Sequence, residues 1–260
     1  MAERINVLGV DVSALDMTAA VDEMAVAVAQ RRPSYGCTCA VYTLMQGHDR
    51  ADVRSALNEA DWVTPDGTPI VWALKLLGTR GVGRVYGPDL MLALSEVSAR
   101  HGYPQFYFGG AAGVAQELAA TMQQRFPGLP VAGTMSPGFG EPTEAEERDM
   151  IATFNRSGAR VLWVGLGSPK QDLWMARFRP RLECDLLLGV GAAFDFLTGR
   201  KAQAPRWMQV GGLEWTFRLA HEPCRLWRRY AIHNPRFILK FAVQYGRHRL
   251  GAAGKRVATK

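Results

Sequence analysis

Residues 161–178 read VLWVGLGSPKQDLWMARF, and residues 185–191 read DLLLGVG. Each opens on a short run that is apolar at nearly every position. Such a run suits a strand covered on both faces rather than one with a wet side. In the first, GLGSP breaks the run and helix-period spacing follows. Working outward, comparable runs occur at Ile5–Val10, Cys37–Tyr42, Trp62–Thr64, Gln105–Phe108 and Val131–Thr134, beside Val161–Leu166 and Asp185–Val190 themselves. Helix patterns lie between them: Thr143 and Glu146 predict a capping box ahead of 144–157, and Pro88 suits the start of 88–100. Gly78, Gly102 and Gly158 fall where helices should end. Strands alternating with helices through short links predict an α/β fold, a Rossmann-like, mostly parallel sheet flanked by helices.

The chain has 260 residues, 48% hydrophobic and 21% charged, which is ordinary globular usage and too apolar for a disordered chain. The charged opening MAERINVLGVDVSALD does not read as a signal peptide, and no apolar run approaches a bilayer span. Cys37, Cys39, Cys184 and Cys224 form no CxxC pair, and a cytoplasmic location is expected. The net charge of +7 is unevenly spread. Residues 196–260 hold 14 Lys and Arg against two acids, Glu214 and Glu222, while the preceding residues hold 17 basic and 22 acidic side chains. A basic tail of this density attracts phosphate, whether of a nucleic acid, a membrane surface or a nucleotide. The strand signal also stops after Gly199, so a catalytic α/β domain over 1–199 and a basic helical appendage over 200–260 are expected. Helices are predicted over Ala204–His221, Pro223–Tyr230 and Asn234–His248, the last capped by Asn234 with Pro235 first and fraying from Gly251. On that last helix Arg236, Lys240 and Arg247 share one edge, while Phe237, Ile238, Phe241 and Tyr245 offer an apolar face for a headgroup region or for packing.

Several motifs bear on chemistry. Asp66 lies in TPDG at a strand end, where the tripeptide is ordinary turn chemistry but a carboxylate can also face the ligand crevice of a parallel sheet. Thr43 ends CTCAVYT in an equivalent place. In GLGSPKQD, Ser168 suits a helix N-cap and Pro169 the first helical position, leaving N–H groups and Lys170 toward a phosphate or simply making a helix start. The glycines at 109, 110 and 113 and at 189 and 191 do not complete a dinucleotide fingerprint, and no P-loop, HExxH, GxSxG or DxD metal clamp occurs. No cofactor and no metal site are therefore expected.

TPDGTPIVW (64–72), RVYGPDLM (84–91), FYFGG (106–110), GSPKQDLWMA (167–176) and GVGAAFDFLTG with APRWMQVGGLEWTFRLAHEPCRLWRRY (within 189–230) resemble the WecG/TagA/CpsF family of bacterial glycosyltransferases. The resemblance spans roughly residues 5 to 240. It implies transfer of a sugar, typically N-acetylmannosamine, from a UDP-sugar donor to a polyprenyl-diphosphate-linked acceptor, with inversion and without a bound metal. It implies catalytic roles for Asp66 as base, Thr43 and Arg84. It also implies substrate-binding roles for Gln171 and Asp195, beside Lys170 from the loop reading above, and for Arg218, Arg225 and Arg228 closing over the diphosphate. Two positions depart from the family pattern: Met45 replaces an asparagine, and Asp172 replaces a glutamate.

The chemistry agrees with this resemblance, because inverting transfer needs one base for the acceptor hydroxyl and positive charge where the diphosphate leaves. Since the acceptor cannot leave the bilayer, the resemblance also implies contact with the inner face of the plasma membrane. Arg236, Lys240, Arg247 and Arg249 are assigned to lipid. A nucleic-acid-binding module is the competing reading of the tail. It is disfavoured because Trp207, Trp215, Trp227 and Phe237 interleave the basic residues and no DNA- or RNA-reading motif is present. Oligomeric state is left open.

Overall fold

The computed structural model describes residues 2–138, 140 and 142–257, without the side chains of 251–257. The chain opens with β1 (Arg4–Val7) and β2 (Val10–Ser13), followed by α1 (Met17–Ala29), β3 (Ser34–Cys39), α2 (Val41–Asp49), α3 (Ala51–Asn58) and β4 (Trp62–Pro65). Then come α4 (Thr68–Leu76), α5 (Gly87–His101), β5 (Gln105–Gly109), α6 (Val114–Arg125), β6 (Val131–Met135), α7 (Glu144–Arg156) and β7 (Val161–Gly165). The rest is α8 (Lys170–Phe178), β8 (Leu186–Gly189), α9 (Ala193–Leu197), α10 (Arg206–Val210), α11 (Glu214–His221) and α12 (Pro223–Val257).

Six strands form one sheet in the order β4-β3-β8-β7-β5-β6, and every pairing is parallel. The every-position apolar runs follow from this arrangement. In β7, Leu162 and Val164 enter the core on one face, while Val161 and Trp163 enter the core on the other. The first face packs against α2, α3 and α8 through Leu44, Val53, Met175 and Phe178. The second packs against α1, α5 and α6 through Met24, Leu94 and Met122. Gly109 permits the close approach of β5 and β7. Its φ is +139°, and an added Cβ would lie 2.6 Å from the Gly165 carbonyl. The capping box at Thr143 and Glu146 is present, and α7 begins at Glu144 as expected.

Four local expectations are corrected. Ile5–Val10 is not one strand: Leu8 and Gly9, both at positive φ, turn the chain into an antiparallel hairpin outside the main sheet. β3 ends at Cys39 and α2 starts at Val41, so Thr43 sits in the first turn of a helix. Ser168 does not cap α8, whose cap is Pro169 and whose first residue is Lys170; the Ser168 hydroxyl instead donates to Asp172 Oδ2 at 2.6 Å.

The fourth correction concerns the appendage. Ala204–His221 is divided by Gly211 and Gly212, the latter at φ +73° and held against the Trp72 and Thr68 side chains. The two predicted helices after Pro223 are one, α12, which runs through Pro235 and continues past Gly251 to Val257. Residues 258–260 lie outside the described residues. An interior proline removes one helix hydrogen bond and costs about 3 kcal/mol. The contacts beside it offset that cost: Phe237 and Phe241 are buried in the core, and Arg236 donates twice to Asp49 at 2.8 Å. Phe237, Phe241 and Tyr245 therefore pack on the body rather than facing a headgroup region.

Candidate active site

Parallel strands present all their C-terminal ends on one edge, and the loops there build the cleft. Asp66 follows β4 directly. Its N–H donates to the Cys39 carbonyl at the end of β3 (3.1 Å), which fixes its backbone to the neighbouring strand. Val85 N–H donates to the Pro65 carbonyl (2.9 Å), carrying the preceding residue, Arg84, alongside. α11 and α12 close the other side. The resulting cleft is open to solvent, and Asp66, Arg84, Glu214, Arg218 and Arg229 line it.

Arg84 is held from three directions. Its Nε donates to the Asp66 carbonyl oxygen, its Nη2 donates to Glu214 Oε2 at 2.5 Å, and its guanidinium lies 4.2 Å from the Tyr86 ring centre. The same Nη2 is 3.8 Å from Asp66 Oδ1, close enough for attraction but too far for a hydrogen bond. Asp66 Oδ1 is enclosed and has no hydrogen-bond partner. Burial pushes the Asp66 carboxyl above the usual carboxylate range and the Glu214 charge adds to this, while Arg84 and Arg218 pull the other way. Burial works against the Arg84 charge, but Asp66 and Glu214 together hold it above its ordinary value.

Three arginines face two carboxylates here, and two of them have spare donors. Arg218 lies over the Phe196 ring and Arg229 over the Tyr42 ring at 4.1 Å; the Nε of each is buried without a hydrogen-bond partner. Burial pushes the Arg229 guanidinium below its ordinary value, and the Arg218 charge adds to the effect. Among the described residues no carboxylate forms a salt bridge with either arginine. Both arginines are half-buried, so each guanidinium is partly desolvated without a salt bridge, and a bound anion would relieve that cost.

The remaining sequence-derived positions are distributed unevenly. Gln171 is buried at the strand ends, where its Oε1 accepts from Gly167 N–H (3.1 Å) and Gly191 N–H (3.0 Å), tying together the loops after β7 and β8. Thr43 is buried, next in the chain to Val41 and Tyr42 of the cleft wall, and does not itself line the cleft. Lys170 is exposed at the start of α8. Asp195 pairs with Lys201 (2.8 Å), which reaches Glu222 (3.3 Å), which in turn holds Arg225. Arg225 and Arg228 are exposed and do not line the cleft, and Arg228 lies beside Trp227. Sequence reasoning missed Glu214 and Arg229. The signal for Arg229 was available, since Arg229, His233, Phe237, Phe241 and Tyr245 repeat at four-residue spacing once Pro235 is read as interior.

Among the described residues no group of three or more His, Cys, Asp or Glu side chains is placed to hold a metal ion, and no helix is long and apolar enough to cross a membrane. A family model, the glycosyl transferase WecG/TagA/CpsF family, matches residues 5–251. The chain belongs to that family.

Proposed function

Starting from a family of sugar transferases, we propose that this protein is an inverting, metal-independent glycosyltransferase. It moves a sugar from a UDP donor, UDP-N-acetylmannosamine or a related hexose, to a polyprenyl-diphosphate-linked acceptor. The observation that carries this reading is the Asp66 carboxylate, with a free and enclosed Oδ1, in one cleft with Arg84, Arg218 and Arg229. In the transfer, the acceptor hydroxyl oxygen bonds to the anomeric carbon from the face opposite the nucleotide, and Asp66 takes the hydroxyl proton. The bond from that carbon to the diphosphate oxygen breaks, its electron pair leaves with UDP, and the arginines stabilise the growing charge. An acid held above its usual range by burial is a stronger base than a solvated aspartate.

The reading places the enzyme on the inner face of the plasma membrane. Support comes from large apolar side chains that remain exposed: Trp207 and Val210 on α10, Leu213 just before α11, and Ile238, Leu239 and Val243 on α12. These replace Phe237 and Phe241 as the groups available to a headgroup region. Lys240, exposed and next to Leu239 in the chain, suits an anionic surface.

Thermal shift with UDP, NAD and a short DNA duplex tests the ligand class; UDP is expected to stabilise the protein and the other two are not. Asp66→Asn tests the mechanism by transfer from UDP-N-acetylmannosamine to a synthetic polyprenyl-diphosphate-linked acceptor, read by product mass. Turnover should fall by ~10²–10⁴-fold with UDP binding retained. Retention of more than about a tenth of wild-type turnover would remove Asp66 as the base.

A further inference from the structure

The second carboxylate of the cleft, Glu214, has no role in the reaction just described, and neither its position in a basic tail nor the resemblance assigns it one. Its surroundings do. The Gly211–Gly212 break turns the chain so that Glu214, the first residue of α11, returns to the cleft, where its side chain is largely enclosed against Arg84. Arg84 is the nearest cation to Asp66, and it is poised between two acids. Its Nη2 is 2.5 Å from Glu214 Oε2 and 3.8 Å from Asp66 Oδ1.

We propose that Glu214 is a positioning residue: by taking the Arg84 guanidinium for itself it keeps that cation from closing onto Asp66, and so leaves the Asp66 carboxylate free to accept a proton. The inference rests on Asp66 being the base. A carboxylate gripped by an arginine at hydrogen-bond distance is stabilised in its charged form and becomes a poor proton acceptor. Here the grip falls on Glu214, and Asp66 Oδ1 remains without a hydrogen bond although it is enclosed. The same contact makes the base depend on the appendage, because Glu214 arrives with α11 while Asp66 and Arg84 belong to the strand-end edge.

The groups facing Asp66 all bear on its titration. Arg84 comes from the segment before α5, Glu214 and Arg218 from α11, the Tyr86 hydroxyl and Gly87 N–H from the start of α5, and the Cys39 thiol from the end of β3. Arg84, Arg218 and the Gly87 N–H favour the carboxylate, while burial and Glu214 oppose it. Removing the Glu214 charge therefore acts twice in one direction, through the lost repulsion and through the release of Arg84 toward Asp66.

Glu214→Gln in the full chain tests this, with the Asp66 carboxyl followed by carbon-13 NMR titration and assigned by its absence in Asp66→Asn. The Asp66 titration should move to lower pH, and the acid limb of kcat/KM for the transfer assay above should move with it. kcat near neutral pH should fall about 3–10-fold as the base weakens. Glu214→Asp, which keeps the charge, should leave the limb near its wild-type place. If circular dichroism shows Glu214→Gln unfolded, Glu214→Ala repeats the test. An unmoved Asp66 titration and acid limb, with or without a loss of turnover, would overturn the proposal, since a merely structural Glu214 predicts that result. Full activity in Asp66→Asn would instead overturn the base assignment beneath it, so the two failures are separable.

Discussion

Replacing Arg229 by Met should make the protein worse at binding UDP while changing its stability little. Arg229 is the cleft arginine that sequence reasoning passed over, and its Nε is buried with nothing to donate to. A buried donor left unmade costs ~1–3 kcal/mol, and more for a charged group. Methionine fills the space of the arginine stem and removes that cost. The loss on the other side is the cation–π contact with Tyr42 at 4.1 Å, which contributes ~0.5–2 kcal/mol. The two effects leave a net change between about −1 and +2.5 kcal/mol, centred on a slight gain, so for a chain of this size Tm should fall by no more than about 4 °C, at ~2–4 °C per kcal/mol. Against UDP the balance reverses. A charge-assisted hydrogen bond to a diphosphate oxygen contributes ~1.5–3 kcal/mol, so the dissociation constant should rise about 10–150-fold. Arg228→Met is the control, because that side chain is exposed and away from the cleft, and it should leave the constant within about two-fold. Isothermal titration with UDP and differential scanning calorimetry read both quantities. A Tm lowered by several degrees with unchanged UDP affinity would make Arg229 a structural partner of Tyr42. Equal weakening by the two substitutions would refute the phase assigned to α12.

Gln171→Leu should cost about 1–3 kcal/mol in chemical denaturation, because the part-buried Gly167 and Gly191 N–H groups lose their shared acceptor. A loss below about 1 kcal/mol would show that water replaces the amide oxygen there. Asp172 is buried beside Cys37 and Ser168; burial raises its carboxyl to about 6, against which hydrogen bonds from Ser168 and Cys37 act. Between the ordinary value of 3.8 and about 6 the folded chain keeps a proton that the unfolded chain has released, so this group's contribution to stability falls as pH rises through that window. Urea midpoints measured across it should show the decline in the wild type and lose it in Asp172→Asn; an identical pH dependence in both would show that Asp172 titrates elsewhere.

The sheet was legible because a strand buried on both faces has a signature that no amphipathic helix shares, and VLWV and LLLG carry it. The hairpin was not, because Leu8 at φ +54° lacks the Asn, Asp or Gly that marks a primed turn. The cleft was half legible. Asp66 and Arg84 sit on strand-end segments whose position follows from local sequence and pairing. Arg228 and Arg229 are neighbours that differ by one step of helical rotation, and only the phase of α12 chooses between them. Placing a boundary at Asn234–Pro235 released that phase. In the structure Phe237 and Phe241 fix it by packing on the body, and Arg229 and His233 follow on the same stripe, both against the Tyr42 ring. Glu214 was counted only as one of two acids among cations, since nothing local shows that Gly211 and Gly212 fold it back onto Arg84.

The division of labour between loops and appendage has a physical cause. Glycine-rich loops after parallel strands ordinarily serve phosphates with backbone N–H groups. Here the N–H groups of Gly167 and Gly191, the donors such a loop would offer, are both taken by Gln171 Oε1. Those two donors are therefore already engaged, and side chains are the other source of positive charge for an anion arriving at that part of the strand-end edge. The body supplies one, Arg84, and it is already matched with Glu214 and close to Asp66. The surplus cations, Arg218 and Arg229, both stand on helices of the appendage. A diphosphate leaving group carries more charge in the transition state than in the bound donor. In the proposed transfer, cations without a salt bridge in the free protein would have most of their interaction still to make when the bond breaks, where it would lower the barrier.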